Sequence, residues 1–300
     1  MSAPAVEPAG IGLTGPAQLA LSPRQDVWDR LRRNRLAIGG GLVVVLVVLL
    51  AIVGPALMAM YSGATYDGQD LEHRLADPTT AHPLGTDILG RDLLTRMFYG
   101  SRISLAVGLL ATLISVLVGV IYGAISGYAG GHLDEIMMRL VDILYSLPTI
   151  MLIIVLMALF ERTFFLLLVA LAMVGWLDIA RIVRGQVLSL KHEQYVEAAR
   201  TIGVSSWGII FRHIIPNAMG PVIAYALLTV PSVILAEAFL SFLGLGVQPP
   251  TPSWGVLAGD GAQVMAVHPI MLIAPALLMT VSLVSLNFFA EGLREALDRS

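Results

Sequence analysis

Long apolar runs alternate with short polar breaks along most of this chain. Six runs stand out: Leu36–Met60, Ile103–Tyr128, Leu140–Phe160, Thr163–Ala180, Met219–Gly246 and Ile270–Ala290. Each approaches the roughly 20 helical residues needed to cross a hydrocarbon core about 30 Å thick. None shows the two-residue alternation of a barrel strand. Only helices and closed barrels satisfy every backbone N–H and C=O in lipid. The pattern therefore predicts an all-α integral membrane bundle of about six transmembrane helices. The run at 36–60 is too long and too far from Met1 for a signal peptide, so it is expected to be a retained anchor.

Composition agrees with this pattern. Charged residues make up 13% of the chain, against about 25% in average soluble domains. Cysteine is absent, which excludes disulfides and thiolate metal sites. The distribution of charge says more than its sum of −3. Residues 1–23 are rich in Ala, Pro and Gly with Glu7 as their one charge, the composition of a disordered tail. Arg24, Arg30, Arg32, Arg33 and Arg35 follow just before the first run. Positive charge there favours the cytoplasmic side. Threading the six spans from that start puts 13 of the 18 Lys and Arg residues in cytoplasmic segments and predicts that both termini are cytoplasmic.

The expected organisation runs as follows. Residues 1–35 form a cytoplasmic tail, 36–60 the first transmembrane helix, and 61–101 an outer polar segment. Residues 102–290 form a core of five transmembrane helices, with a cytoplasmic loop at 185–217 and an outer loop at 247–269. Residues 291–300 return to the cytoplasm. In the second span Ala111, Ser115, Gly119, Gly123, Gly127 and Gly131 recur at every fourth position. Such spacing lets two helix backbones approach closely in lipid, and a helix contact explains it without any role in gating. Pro148, Pro221, Pro231 and Pro275 fall in or near spans, where each removes a backbone donor and tends to kink its helix.

One polar, charged, Gly-broken segment between spans is "QYVEAARTIGVSSWGIIFRHIIPN", Gln194–Asn217. Tyr195, Ala198, Ala199 and Ile202 fall on one helical face, with Glu193, Glu197 and Arg200 opposite. Gly203 suits a left-handed helix cap. Ser205 or Ser206 can cap a second helix whose apolar face is Trp207, Ile210, Phe211 and Ile214, and which Pro216 is expected to close. Two readings remain open: a loop lying along the membrane surface, or a rigid docking element for a soluble partner.

These residues also carry a resemblance. "EAARTIG" followed by "IIPN" resembles the EAA loop of ABC-importer permeases, with Glu197, Ala198, Ala199, Gly203, Ile215 and Pro216 at the matching positions. His213 and Ile215 depart from the general pattern, which has Ile and Leu there. "HPLGTDILGRDLLTRMFYGSRISL" (His82–Leu105) and "AEAFLSFLGLGVQPPTPSWG" (Ala236–Gly255) resemble the dipeptide/oligopeptide/nickel permeases of the second-subunit (DppC/OppC) type.

The resemblance implies a type I ABC-importer permease with a MetI-like bundle in the bacterial cytoplasmic membrane. It would move peptides inward together with a homologous second permease, two cytoplasmic ATPase subunits and an extracytoplasmic substrate-binding protein. Glu197 to Gly203 would be the lever that receives ATPase motion. ATP and Mg would sit on the ATPase chains. This chain cannot bind them in a phosphate-binding loop, because its only lysine, Lys191, follows Leu190 rather than Gly. No cofactor, metal or nucleic acid is implied for it.

Two outer sets carry further expectations. Asp87, Arg91, Asp92, Gln248 and Trp254 are candidate contacts for the binding protein, although Asp87, Arg91 and Asp92 equally suit turn capping and ion pairing. Glu237, a carboxylate inside the fifth span, and its neighbour Ser241 are candidates for a gate or pathway. A structural pairing of Glu237, for example with Asn287, competes with that role. Nickel and haem-type cargo remain alternatives. An ion-coupled secondary transporter would usually show inverted repeats and several buried ionisable groups, which the sequence lacks. An intramembrane enzyme has no support, because Ser126 and Ser241 have no histidine in any span.

Overall fold

The computed structural model describes residues 23–297, and the expected disordered tail at 1–22 lies outside them. All the described regular structure is helical. A short basic helix, α1 (Pro23–Arg33), leads through Asn34 into α2 (Arg35–Ser62). The Asn34 side chain accepts from the Ala37 N–H and caps the new helix. So 23–33, expected as part of the tail, is helical. After an irregular segment come α3 (Leu93–Ala129), α4 (Gly131–Ser146), α5 (Thr149–Leu159) and α6 (Phe164–Leu190). Then follow α7 (Gln194–Thr201), α8 (Ser206–Ile209), a π-helical turn at Ile210–Ile214, α9 (Ile215–Phe242), α10 (Trp254–Val264) and α11 (Ile270–Leu297).

Five continuous stretches are long and apolar enough to cross a membrane: α2, α3, α6, Ser206–Phe242 and α11. The third expected span, Leu140–Phe160, is not one straight helix. It is α4 and α5, bent by 80° at the break between them. Leu147 is extended there, with ψ 140°, because the ring of Pro148 excludes the helical region for the residue before it. Pro55, Pro221, Pro231 and Pro275 sit inside helices that continue through them. The fourth span is longer than expected and runs on past Ala180 to Leu190. The helix before the fifth span is not closed by Pro216: the π-helical turn at Ile210–Ile214 runs directly into α9, whose second residue is Pro216.

The ridge of small residues does pack helix on helix. Ala111, Ser115, Gly119, Gly123 and Gly127 are all buried. A Cβ at Gly119 would strike Ile179, and one at Gly123 would strike the Ala180 carbonyl. Thus α3 and α6 lie backbone to backbone. Gly131 falls in α4, outside the ridge.

Contacts fix the two ends of the bundle. Leu31, Ala37 and Ala296 pack together, and Asn34 donates to Glu295, so both ends of the described chain meet. Lys191 donates to the Gly127 carbonyl at the same end, referred to below as the inner end. Residues 63–92 and α10 lie at the other, outer end.

Candidate functional site

The turn at Gly203 is built from local rules. The Gly203 N–H bonds the Arg200 carbonyl and the Val204 N–H the Ala199 carbonyl, the paired bonds of a Schellman cap. Gly203 takes φ +85°, a conformation that a side chain disfavours. Ser205 then caps the next helix by accepting from the Gly208 N–H. The two helices meet at a fixed angle with few residues between them.

The buried face differs from the one read off the sequence. Val196 and Ala199 of the first helix, with Ile209, Ile210 and Ile214 of the second, pack against Val183 and Val187 of α6 and Ala124 of α3. Ile210, Ile214 and Ala199 were expected on that face. Tyr195, Ala198, Trp207 and Phe211 are exposed instead, and Ile202 is 81% exposed. Trp207 and Phe211 stack on each other at 5.7 Å. Glu197 is exposed, while Ile215 is half-buried and Pro216 exposed. Burial, with the Glu193 charge second, holds the Tyr195 phenol above its ordinary range. The result is a rigid, exposed apolar-aromatic surface at the inner end.

At the outer end Glu237 is fully buried. Its partners are serines and not Asn287, which donates to the Leu283 carbonyl. Ser104 of α3 donates to Glu237 Oε2 at 3.0 Å and Ser241 to Oε1 at 2.6 Å. Each serine oxygen also accepts a backbone N–H, from Trp254 and Val247 respectively. The carboxylate thus joins α3, α9 and the start of α10. Gly246 and Gly255 permit this approach, since a Cβ on either would overlap Ser241 or Ala238.

The expected outer contact residues lie largely inside. Asp87, Arg91, Asp92 and Trp254 are buried, so in this conformation their side chains do not reach a partner. Asp87 binds Arg91 Nε at 2.7 Å and also pairs with Arg96, which reaches Asp260 of α10 at 3.2 Å. Asp92 caps α3 through the Thr95 N–H and takes His82 Nδ1 at 3.0 Å. The Trp254 indole donates to Ser101, and Gln248 is half-buried with its amide on the Gly246 carbonyl. Burial makes these groups the frame of the outer end. Arg96, Asp260 and Ser104 were not singled out in the sequence. Arg96 and Asp260 are 164 residues apart, and no local pattern links them.

Among the described residues, five long apolar helices, one bent helix pair and a Gly-turned helix pair at one end make up the bundle. The chain belongs to the family described as binding-protein-dependent transport system inner membrane components, whose model matches residues 115–300. A second model, the N-terminal TM domain of oligopeptide transport permease C, matches residues 22–78. The chain is 51% identical to the oligopeptide transport system permease protein OppC of Escherichia coli K12 over 276 residues, 91% of this chain and 90% of that one. It is 44% identical to the dipeptide transport system permease protein DppC of Bacillus subtilis, covering 93% of this chain and 86% of that one. Its fold matches the inward-facing MetNI methionine ABC transporter with a TM-score of 0.55 at 18% identity, over 68% of this chain and 97% of that one. It is therefore a multi-pass bacterial inner-membrane protein and a transport component rather than an enzyme. The family works with a partner permease, ATPases and a substrate-binding protein.

Proposed function

We propose that this chain is the second permease subunit of a peptide importer, paired with a homologous permease and driven by two cytoplasmic ATPase subunits. Cargo would arrive on an extracytoplasmic binding protein and leave on the inner side. The observation that carries the coupling role is the exposed surface of Tyr195, Ile202, Trp207 and Phe211 around the Gly203 turn. Large apolar side chains that stay exposed on a rigid element favour a protein partner. A push on α7 would pass through the Schellman turn into α8 and the continuous helix to Phe242, tilting that span as a rigid body. The peptide cargo is supported by the oligopeptide and dipeptide permeases that the chain resembles over most of its length.

The test is to purify the assembled complex with its binding protein and identify the bound ligand by mass spectrometry. Uptake and ATPase stimulation are then measured in proteoliposomes. Di- or oligopeptides and ATP-dependent uptake are the expected result. Nickel or a haem-type ligand on the binding protein would overturn the cargo, and uptake that ignores ATP would overturn the class.

A further inference from the structure

The bent helix pair leaves most of its surface uncovered. Of α4 only Asp134 and Val141 are buried. Its exposed apolar residues include Leu133, Ile136, Leu140 and Ile143, which make one stripe, with Ile143 also at the edge of the groove. Glu135, Arg139, Asp142 and Ser146 make another at i, i+4, i+7 and i+11. The polar stripe lines a groove of 690 Å³ that Asp134 and Arg184 also border. Two ion pairs run up the side of the groove. Arg184 holds Asp134 at 2.6 and 2.7 Å, and Arg181 holds Asp142 at 2.8 Å while stacking 4.4 Å above the Tyr145 ring. Arg139 lies between them and, among the described residues, has no ion pair.

Ionisable groups carried on helices of a membrane bundle face water or another protein, not lipid. The groove is wide enough for several waters, and beside the ion-paired Asp134, Arg184 and Asp142 its wall carries Glu135 and Arg139, one acidic and one basic group a helical turn apart. The polar stripe stops at Ser146, beside the break at Leu147–Pro148. Beyond it the next groove, between α5 and α9, is lined almost wholly by apolar residues such as Ile153, Leu235 and Phe239.

We propose that the polar stripe of α4, with Arg181 and Arg184, lines the inner half of the cargo path and holds the two charged termini of a zwitterionic peptide as it leaves. The inference rests on the peptide-permease reading above. Glu135 and Arg139 suit such a cargo, because the amino and carboxylate ends of a short peptide each find an opposite charge one helical turn apart. Neither end is bound by a buried, fully satisfied site that would retain it.

The natural absence of cysteine makes the test direct. Single-cysteine variants Arg139→Cys, Ser146→Cys and Leu140→Cys are assembled in the full complex in vesicles. A membrane-impermeant methanethiosulfonate is then applied to the inner face, and labelling is read on this chain. Arg139→Cys and the nearly isosteric Ser146→Cys are expected to react several-fold faster than Leu140→Cys on the apolar stripe. Millimolar trialanine should slow both reactions several-fold, and N-acetylated, C-amidated trialanine should not. Equal labelling on both stripes, or no labelling, overturns the aqueous groove. Equal protection by the two peptides, or none, overturns the terminus-binding role. Uptake of trialanine by the complex carrying this chain without substitution is measured in the same kind of vesicles. Absent uptake would count against the peptide reading, whereas intact uptake without protection counts against the groove alone.

Discussion

The guanidinium of Arg102 donates from Nε and Nη2 to the Ala51 carbonyl, at 3.2 and 3.1 Å. This is the carbonyl that Pro55, four residues later in α2, leaves without its helical donor. In lipid an orphaned carbonyl has no water to turn to, and Arg102 of α3 takes the place of the missing N–H. Its charge is in turn spread over the Tyr99 ring, 5.1 Å away, and onto the Ile52 carbonyl. The contact binds α2 to α3 near the outer end.

Arg102→Ala is expected to cost about 1.5–3 kcal/mol, the worth of hydrogen bonds from a charged donor. In a Pro55→Ala background the backbone N–H at that position returns, and the cost should shrink by about 1 kcal/mol. Thermal unfolding of the four proteins in detergent gives the coupling. An identical loss in both backgrounds would mean that Arg102 does not act through the proline gap.

Gly203 separates backbone strain from contact. A Cβ there would meet nothing within 4 Å, so a substitution is felt through φ alone. Gly203→Val should cost about 1–2 kcal/mol locally and abolish coupled uptake while insertion persists. Gly203→Asn, which tolerates the left-handed conformation, should keep most of it. Glu197→Lys should also uncouple. Normal uptake and ATPase stimulation by Gly203→Val and Glu197→Lys would sink the coupling assignment.

Glu237→Ala should loosen the outer hairpin. It removes the acceptor of Ser104 and Ser241, at about 1–3 kcal/mol, and the segment 243–253 should become more sensitive to protease added outside. Glu237→Gln keeps an acceptor and should be milder. A proteolysis pattern unchanged in the alanine variant would refute the anchoring role.

The small-residue ridge gives a paired prediction. Gly123→Val forces a side chain into the Ala180 carbonyl and Val183. Overpacking of this kind costs about 1–3 kcal/mol or more, so folded yield in the membrane should fall. Gly185, one turn beyond Arg181 on α6, has open space around it. Gly185→Ala should leave yield unchanged, and a comparable loss there would argue against the packing explanation.

The sequence was most legible where the signal is local. Apolar runs, the fourfold spacing from Ala111 to Gly127, and Gly203 after a short amphipathic segment each follow from rules spanning a few residues. It was least legible where two local readings tie. Tyr195, Ala198, Ala199 and Ile202 make a helical stripe, but so do Val196 and Ala199 with the following isoleucines, and only packing against α3 and α6 chooses the second. Pro148 was visible as a kink, yet apolar residues on both sides hid a bend of 80°. The outer charges were visible one at a time. Their burial depends on Asp260, which no nearby pattern could join to Asp87 and Arg96.

That separation also sets a chronology. Asp87 and Arg96, nine residues apart, can meet as soon as the start of α3 has emerged. Asp260 leaves the ribosome 164 residues after Arg96, when all but the last helix has been made. Until then the two arginines share a single carboxylate. The outer end of the bundle is therefore one of the last parts to become complete, and a chain truncated before α10 would lack both the second carboxylate of this cluster and the last span.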